Sequence, residues 1–330
     1  QLLTSQMWSF MASVLTPSQS ATWFAPISGL TSISSASAGL GVSHLVNRFG
    51  LLGVLGASGL ALLCSVFFSE AAYAVAMKNG FNPEDEYKSK NKTGSGARQK
   101  RKGKDIYVKE KSIVEKATEV FTRVPTLAAL FREILACQGL STVLNVLFVT
   151  KLKEEIPDDG DRAGYMGKFF GAINIISCLA QFTILPQILQ KIEPSVLWKI
   201  MPTIMLVLTV YQSLQKNPSL KLVSLCFLVM KILEFSVRRM LDELVYVPLD
   251  FESRYVGKEV IGVFGYRFGK SGMSLGLSGL TSLFGSVGLQ ELSYITSSVA
   301  LIWTVTAVQL GNLVPSRAEA ESAYKKMKSS

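Results

Sequence analysis

Between Leu2 and Val314 the chain runs again and again for some twenty residues with few charges, and this repetition limits its fold more than any other feature. A helix needs about 20 mostly apolar residues to cross a bilayer. Inside lipid the backbone polar groups must pair within the segment, which leaves helices as the only form open to runs of this kind. The candidate runs are 2–17, 22–42, 49–77, 127–150, 165–189, 197–215, 221–246, 259–286 and 293–314. Composition agrees: 18% of residues are charged and 48% hydrophobic, whereas soluble domains carry about 25% charged residues. The sequence predicts an all-α membrane protein, a helical bundle of about nine transmembrane helices.

The net charge of +10 is uneven. Lys78 to Lys111 holds 11 Lys/Arg against 5 Asp/Glu. Only Phe81, Tyr87 and Tyr107 are aromatic there, so the block lacks the interleaving of a nucleic-acid surface. It reads as a basic flexible loop over 78–126: a solvated tether, or a docking arm for anionic lipid headgroups or an acidic partner. Residues 1–77 then form the remainder of an N-terminal bundle with about three helices. Residues 127–314 form a six-helix bundle, and 315–330 a basic tail. The positive-inside rule places the loop and the tail inside; the segment 151–164, with five acids against three bases, falls outside. Six helices between loop and tail return the chain to the same side. No signal or transit peptide is visible, and Gln1 reads as the start of a processed precursor or a point partway along a longer protein.

Enzyme chemistry finds no footing. Cys64, Cys137, Cys178 and Cys226 all lie in apolar runs, without a CxxC spacing, and His44 is the sole histidine. Metal sites and Cys-His or Ser-His catalysis are therefore not expected, nor is any cofactor, and the thiols read as buried and reduced.

Three local patterns remain. Small residues four apart, as in Gly53-xxx-Ala57, Gly265-xxx-Gly269 and Gly272-xxx-Gly276, and the Ser/Gly run from Gly29 to Gly41, suit close helix packing in lipid. Lys231, Glu234, Arg238 and Asp242 make one stripe on a helix, with Glu234–Arg238, Arg238–Asp242 and Arg239–Glu243 at i,i+4 spacing. A charge at mid-bilayer costs at least about 2.5–3.5 kcal/mol, so the stripe lines a cavity or is an ion-paired helix end at the inner surface. Finally, "FGYRFGKSG" mimics a phosphate loop, but Phe264 stands where its first glycine belongs and an apolar helix follows. Arg267 and Lys270 instead share a face at the start of a membrane helix, where they could meet an anion.

The stretch from Glu243 through Tyr246, Pro248, Leu249 and Asp250, then Gly257 and Lys258, then Gly265, Arg267, Gly269, Lys270, Ser271, Gly272 and Ser274 resembles the ATP/ADP translocases of plastids and intracellular bacteria without a gap. "AGYMGKF" (Ala163 to Phe169, with Lys168) and "KLKEEIP" add weaker matches. The resemblance covers 127–314 well and 1–77 loosely. It implies a carrier of the major-facilitator type with twelve helices, a nucleotide site between its halves, and exchange of ATP for ADP by alternating access. The helices before the basic loop would correspond to the family's fourth to sixth. Lys270, Arg267, Glu243, Asp250, Lys258 and Lys168 would face the nucleotide, with Lys270 matching a lysine needed for transport.

Other family charges are missing. In "ASVLTPSQSATWFA" the family's acids fall on Val14, Gln19 and Ser20 and its bases on Thr22 and Trp23. In "VLNVLFV" an acid falls on Asn145 and a lysine on Val149, and Asp242 stands in place of another lysine. A charge-assisted hydrogen bond is worth about 1.5–3 kcal/mol, so losing several would weaken or abolish exchange. Two functions follow: a nucleotide carrier with ATP/ADP as cargo, or a non-transporting subunit of a larger plastid membrane complex. The resemblance implies a plastid (chloroplast) membrane, with a bacterial inner membrane as the alternative.

Overall fold

The computed structural model describes residues 2–80, 113–285 and 287–322, and among them all regular structure is helical. Helix α1 (Leu2–Val14) stops before Thr16, whose hydroxyl caps α2 (Pro17–Lys78) by accepting from Gln19 N. Proline at the first position of α2 suits a helix start and could not continue α1. The candidate runs 22–42 and 49–77 both lie on α2, which breaks at Gly50, where φ is +66°. Only glycine takes that conformation freely.

The loop expected over 78–126 proves helical at its far end, α3 (Ile113–Arg123). Glu115 in its first turn and Arg123 in its last complement the helix dipole. The basic block itself, 81–112, lies outside the described residues. Val124 leaves the helical conformation, with φ −118° and ψ 88°, as suits a residue before proline, and Pro125 opens α4 (Pro125–Glu155). There follow α5 (159–191), α6 (Pro194–Ser213), α7 (220–246), α8 (251–284) and α9 (Leu289–Leu313). Three of them carry a π-helical turn: Ala180–Ile184 in α5, Glu234–Arg238 in α7 and Ile261–Gly265 in α8.

Contacts at the helix ends show that the run alternates in direction. At one end Arg123 pairs with Asp250, Thr126 donates to Leu313 O, and Arg317 bonds the carbonyls of Gln190 and Ile192. At the other, Lys151 donates to Asn217 and Glu155 accepts from Leu220 N. Helix α9 packs against α6 and α4, with Trp198, Trp303, Leu140 and Leu144 buried between. Gly257, Gly265 and Gly269 bring α8 onto α4: a Cβ on Gly269 would lie 2.7 Å from Gln138 Cβ. Gly272 and Gly276 face open space, so that second small-residue pair packs against nothing in the described structure.

Among the described residues, five helices are long and apolar enough to cross a membrane: Leu55–Lys78, Pro125–Glu155, Tyr165–Lys191, Pro194–Ser213 and Leu289–Leu313. The runs expected at 221–246 and 259–286 form α7 and α8 and are as long, but they carry the charges discussed next. Of the cysteines, Cys137 and Cys226 are buried, whereas Cys64 is exposed on the outer part of α2.

Candidate functional site

The charge stripe on α7 turns inward and is compensated there. Lys231 Nζ lies 2.8 Å from Glu234 Oε2 and 2.7 Å from Ser141 Oγ, and Gln138 Nε2 donates to Glu234 Oε1 at 2.9 Å. Arg238, 1% exposed, grips Glu133 of α4 through two bonds of 3.0 and 2.7 Å. Glu133 also accepts from Trp303 Nε1 of α9 at 2.7 Å. Arg238 Nη1 donates to Tyr266 OH of α8 at 3.2 Å, and that hydroxyl donates to Asp242 Oδ2 at 2.8 Å. Three helices thus meet on one guanidinium, and α9 joins them through Glu133. The expected i,i+4 pair Glu234–Arg238 does not form, because each partner finds a better-placed group: Lys231 one turn back, and Glu133 across the helix interface.

Of the residues that the resemblance assigns to nucleotide, three are engaged within the chain: Glu243 and Lys258 in this buried layer, and Asp250 at the helix ends. Glu243 pairs with Lys258, whose ammonium lies 4.9 Å from the centre of the Tyr246 ring. Both are buried. Asp250 caps α8, accepting from Ser253, and pairs with Arg123 at 3.2 Å. Arg254, 2% exposed, bonds the carbonyls of Tyr246, Val247 and Leu249 and the hydroxyl of Ser13, tying α1 to the α7–α8 turn.

The other three are exposed. Arg267 and Lys270 stand on the open face of α8 with Ser271, Ser274 and Ser278, which are exposed too. Lys270 makes no hydrogen bond or ion pair with any described residue. Lys168 is exposed on α5, away from the buried network. Its neighbours Tyr165 and Phe169 turn the other way: Phe169 stacks 4.7 Å from Phe148 of α4 and 5.8 Å from Phe227 of α7. Tyr165 OH lies 3.1 Å from Ser224 Oγ. The "AGYMGKF" stretch therefore holds three helices together through its rings and leaves its lysine outside.

The positions where the resemblance expects charge are neutral and mostly at the surface. Asn145, Val149, Gln19 and Trp23 are exposed, Val14 and Thr22 half-buried, and Ser20 buried with its hydroxyl unpartnered. Gln19 has a local task, accepting from Thr16 N at 3.0 Å to close the cap of α2. Sequence reasoning missed Glu133, Gln138, Ser141, Tyr266 and Trp303. Glu133 was open to discovery: an acid about two turns inside an apolar helix needs a partner. Among the described residues no group of His, Cys, Asp and Glu is placed to hold a metal.

Chemically, the buried layer neutralises itself and fastens α4, α7, α8 and α9 together. The exposed face of α8 offers cations and hydroxyls, the groups that bind an oxyanion. The family model described as TLC ATP/ADP transporter matches residues 224–313, from α7 to the end of α9. The "ADP,ATP carrier protein 1" of Chlamydia pneumoniae is 24% identical over 277 residues, 78% of this chain and 50% of that protein. The protein of the same name from Chlamydia trachomatis serovar D is 26% identical over 199 residues, 54% of this chain and 38% of the relative. The chain thus spans half or less of the length of these curated relatives. An all-helical membrane bundle, a gapless motif through α7 and α8, and these matches agree: the chain is similar to the ATP/ADP translocase family, most clearly from α7 to the end of α9.

Proposed function

We propose that the protein is a membrane carrier, not an enzyme, which binds a nucleotide through the open face of α8 and exchanges ATP for ADP more weakly than a fully charged carrier would. The observation that carries this reading is Lys270, exposed beside Arg267 with no carboxylate on it among the described residues. A buried Lys258 or Arg238 is committed to an acid and has no charge to spare for phosphate. In this reading Lys270 and Arg267 meet the phosphates, and Ser271 and Ser274 add hydroxyl bonds. Lys168 lies on another helix and serves the outer approach. The membrane is a plastid one, as in the family's plastid branch, and ATP and ADP are cargo rather than cofactors.

The test is uptake of labelled ATP, ADP and phosphate by liposomes holding the full-length protein, with Lys270→Ala beside it. The carrier reading expects exchange that falls by about tenfold or more in the variant, as for a lost charge-assisted bond of about 1.5–3 kcal/mol. No uptake above empty liposomes would contradict it.

A second reading is favoured by the neutral surface at Gln19, Trp23, Asn145 and Val149 and by the outer part of α2. From Leu55 to Lys78 almost every residue is exposed, so that helix is free to lie against other membrane proteins. The chain would then be a non-transporting subunit of a larger plastid membrane complex. Stoichiometric co-purification with other membrane proteins, together with absent uptake, is what that reading expects.

A further inference from the structure

We infer that Asp242 is a proton-binding site inside the helix bundle, occupied by a proton when α7 and α8 are packed together. Among the buried acids, Glu133 has Arg238, Glu234 has Lys231, and Glu243 has Lys258, each within ion-pair distance. Asp242 is 7% exposed and, among the described residues, has no cation within that distance. Its Oδ2 accepts from the neutral Tyr266 hydroxyl at 2.8 Å, and its Oδ1 has no hydrogen-bond partner among the described residues. A carboxylate there would leave a charge-bearing oxygen out of water with no donor. A neutral carboxyl leaves only one O–H unpaired.

The charged and titratable surroundings fit this account. From α4 come Glu133 and Cys137, and from α7 itself Arg238, Arg239, Glu243 and Tyr246. From α8 come Lys258, Arg254 and Tyr266. Helix α1 has no titratable side chain, and the cation of α6, Lys199, lies against Gly311 of α9. The nearest cations, Arg238 and Lys258, are each already bound to another acid. Arg238 reaches Asp242 only through Tyr266, as the donor to that hydroxyl. The site joins two helices through one hydrogen bond. Parting α8 from α7 would break the Tyr266–Asp242 bond and admit water, and the carboxyl would then release its proton to that water. Any rearrangement of this helix pair therefore moves one proton. The inference stands whether or not nucleotide is carried.

Infrared spectroscopy of the purified full-length protein at neutral pH tests it. The expected result is a protonated-carboxyl C=O band that Asp242→Asn removes and Tyr266→Phe, which takes away the donor to Oδ2, shifts in frequency. Absence of the band in the native protein, or its survival in Asp242→Asn, overturns the site. Should Asp242→Asn fail to fold, the decision rests on Tyr266→Phe: a shifted band supports the assignment and an unmoved one overturns it. Replacing potassium by sodium should leave the band in place. Its loss in sodium would make the site a metal-cation site and overturn the proton.

Discussion

Lys258 and Lys270 are the same side chain on the same helix, and their surroundings give them opposite roles. Lys258 is 5% exposed and bound to Glu243. Lys270, beyond the π-helical turn, is exposed and bound to no described residue. A buried ammonium left single costs more than any packing returns, so the first lysine is tied to an acid as a condition of the fold. The second stays exposed, and in the proposed carrier it meets the nucleotide. The motif that joins them in sequence mixes buried and exposed residues, and only burial separates the two.

The comparison breaks first where a buried charge loses its partner. Glu133→Gln strands Arg238 and should cost about 3–5 kcal/mol of stability, read from thermal or denaturant unfolding in detergent. Lys258→Met strands Glu243 by a similar amount, about 3–5 kcal/mol, whereas the double variant Lys258→Met/Glu243→Met should recover most of the loss. If the single and double variants are equally unstable, the pair is not what makes Lys258 necessary. Smaller effects separate the two faces of α8. Gly269→Ala sets a Cβ against Gln138 and the Leu135 carbonyl at 2.7 and 3.2 Å, and should destabilise by about 1–3 kcal/mol. Gly272→Ala meets nothing within 4 Å and should be stabilising by about 0.5–1 kcal/mol. Lys270→Ala should change stability least, within about 0.5 kcal/mol.

Much of this division is invisible in the sequence, for physical reasons. Apolar run length announced the spans at α4, α5, α6 and α9, because lipid thickness sets helix length directly. The stripe Lys231, Glu234, Arg238 and Asp242 was legible as one face of a helix, since periodicity alone decides that. Its partners were not. Arg238 takes Glu133 and Tyr266 from two other helices, and no local spacing encodes a contact between residues so far apart. The paired acids around Arg239 and Glu243 suggested a local bond, yet Glu243 turned to Lys258 on α8. The motif stretch marked Lys258 and Lys270 alike, because a resemblance in sequence carries no information about which side chain a helix buries. The reading of 78–126 as loop failed over α3 because an amphipathic helix with many charges has the composition of a loop.

In the proposed carrier the buried cations hold the bundle together and the exposed face of α8 meets the anion. Equilibrium binding of labelled ADP to the purified full-length protein tests it most directly, comparing the native chain with Lys270→Ala and with Lys258→Met/Glu243→Met. The account predicts binding weakened about tenfold or more in Lys270→Ala and little changed in the double variant. Binding that survives Lys270→Ala and disappears with a well-folded Lys258→Met/Glu243→Met protein would contradict it.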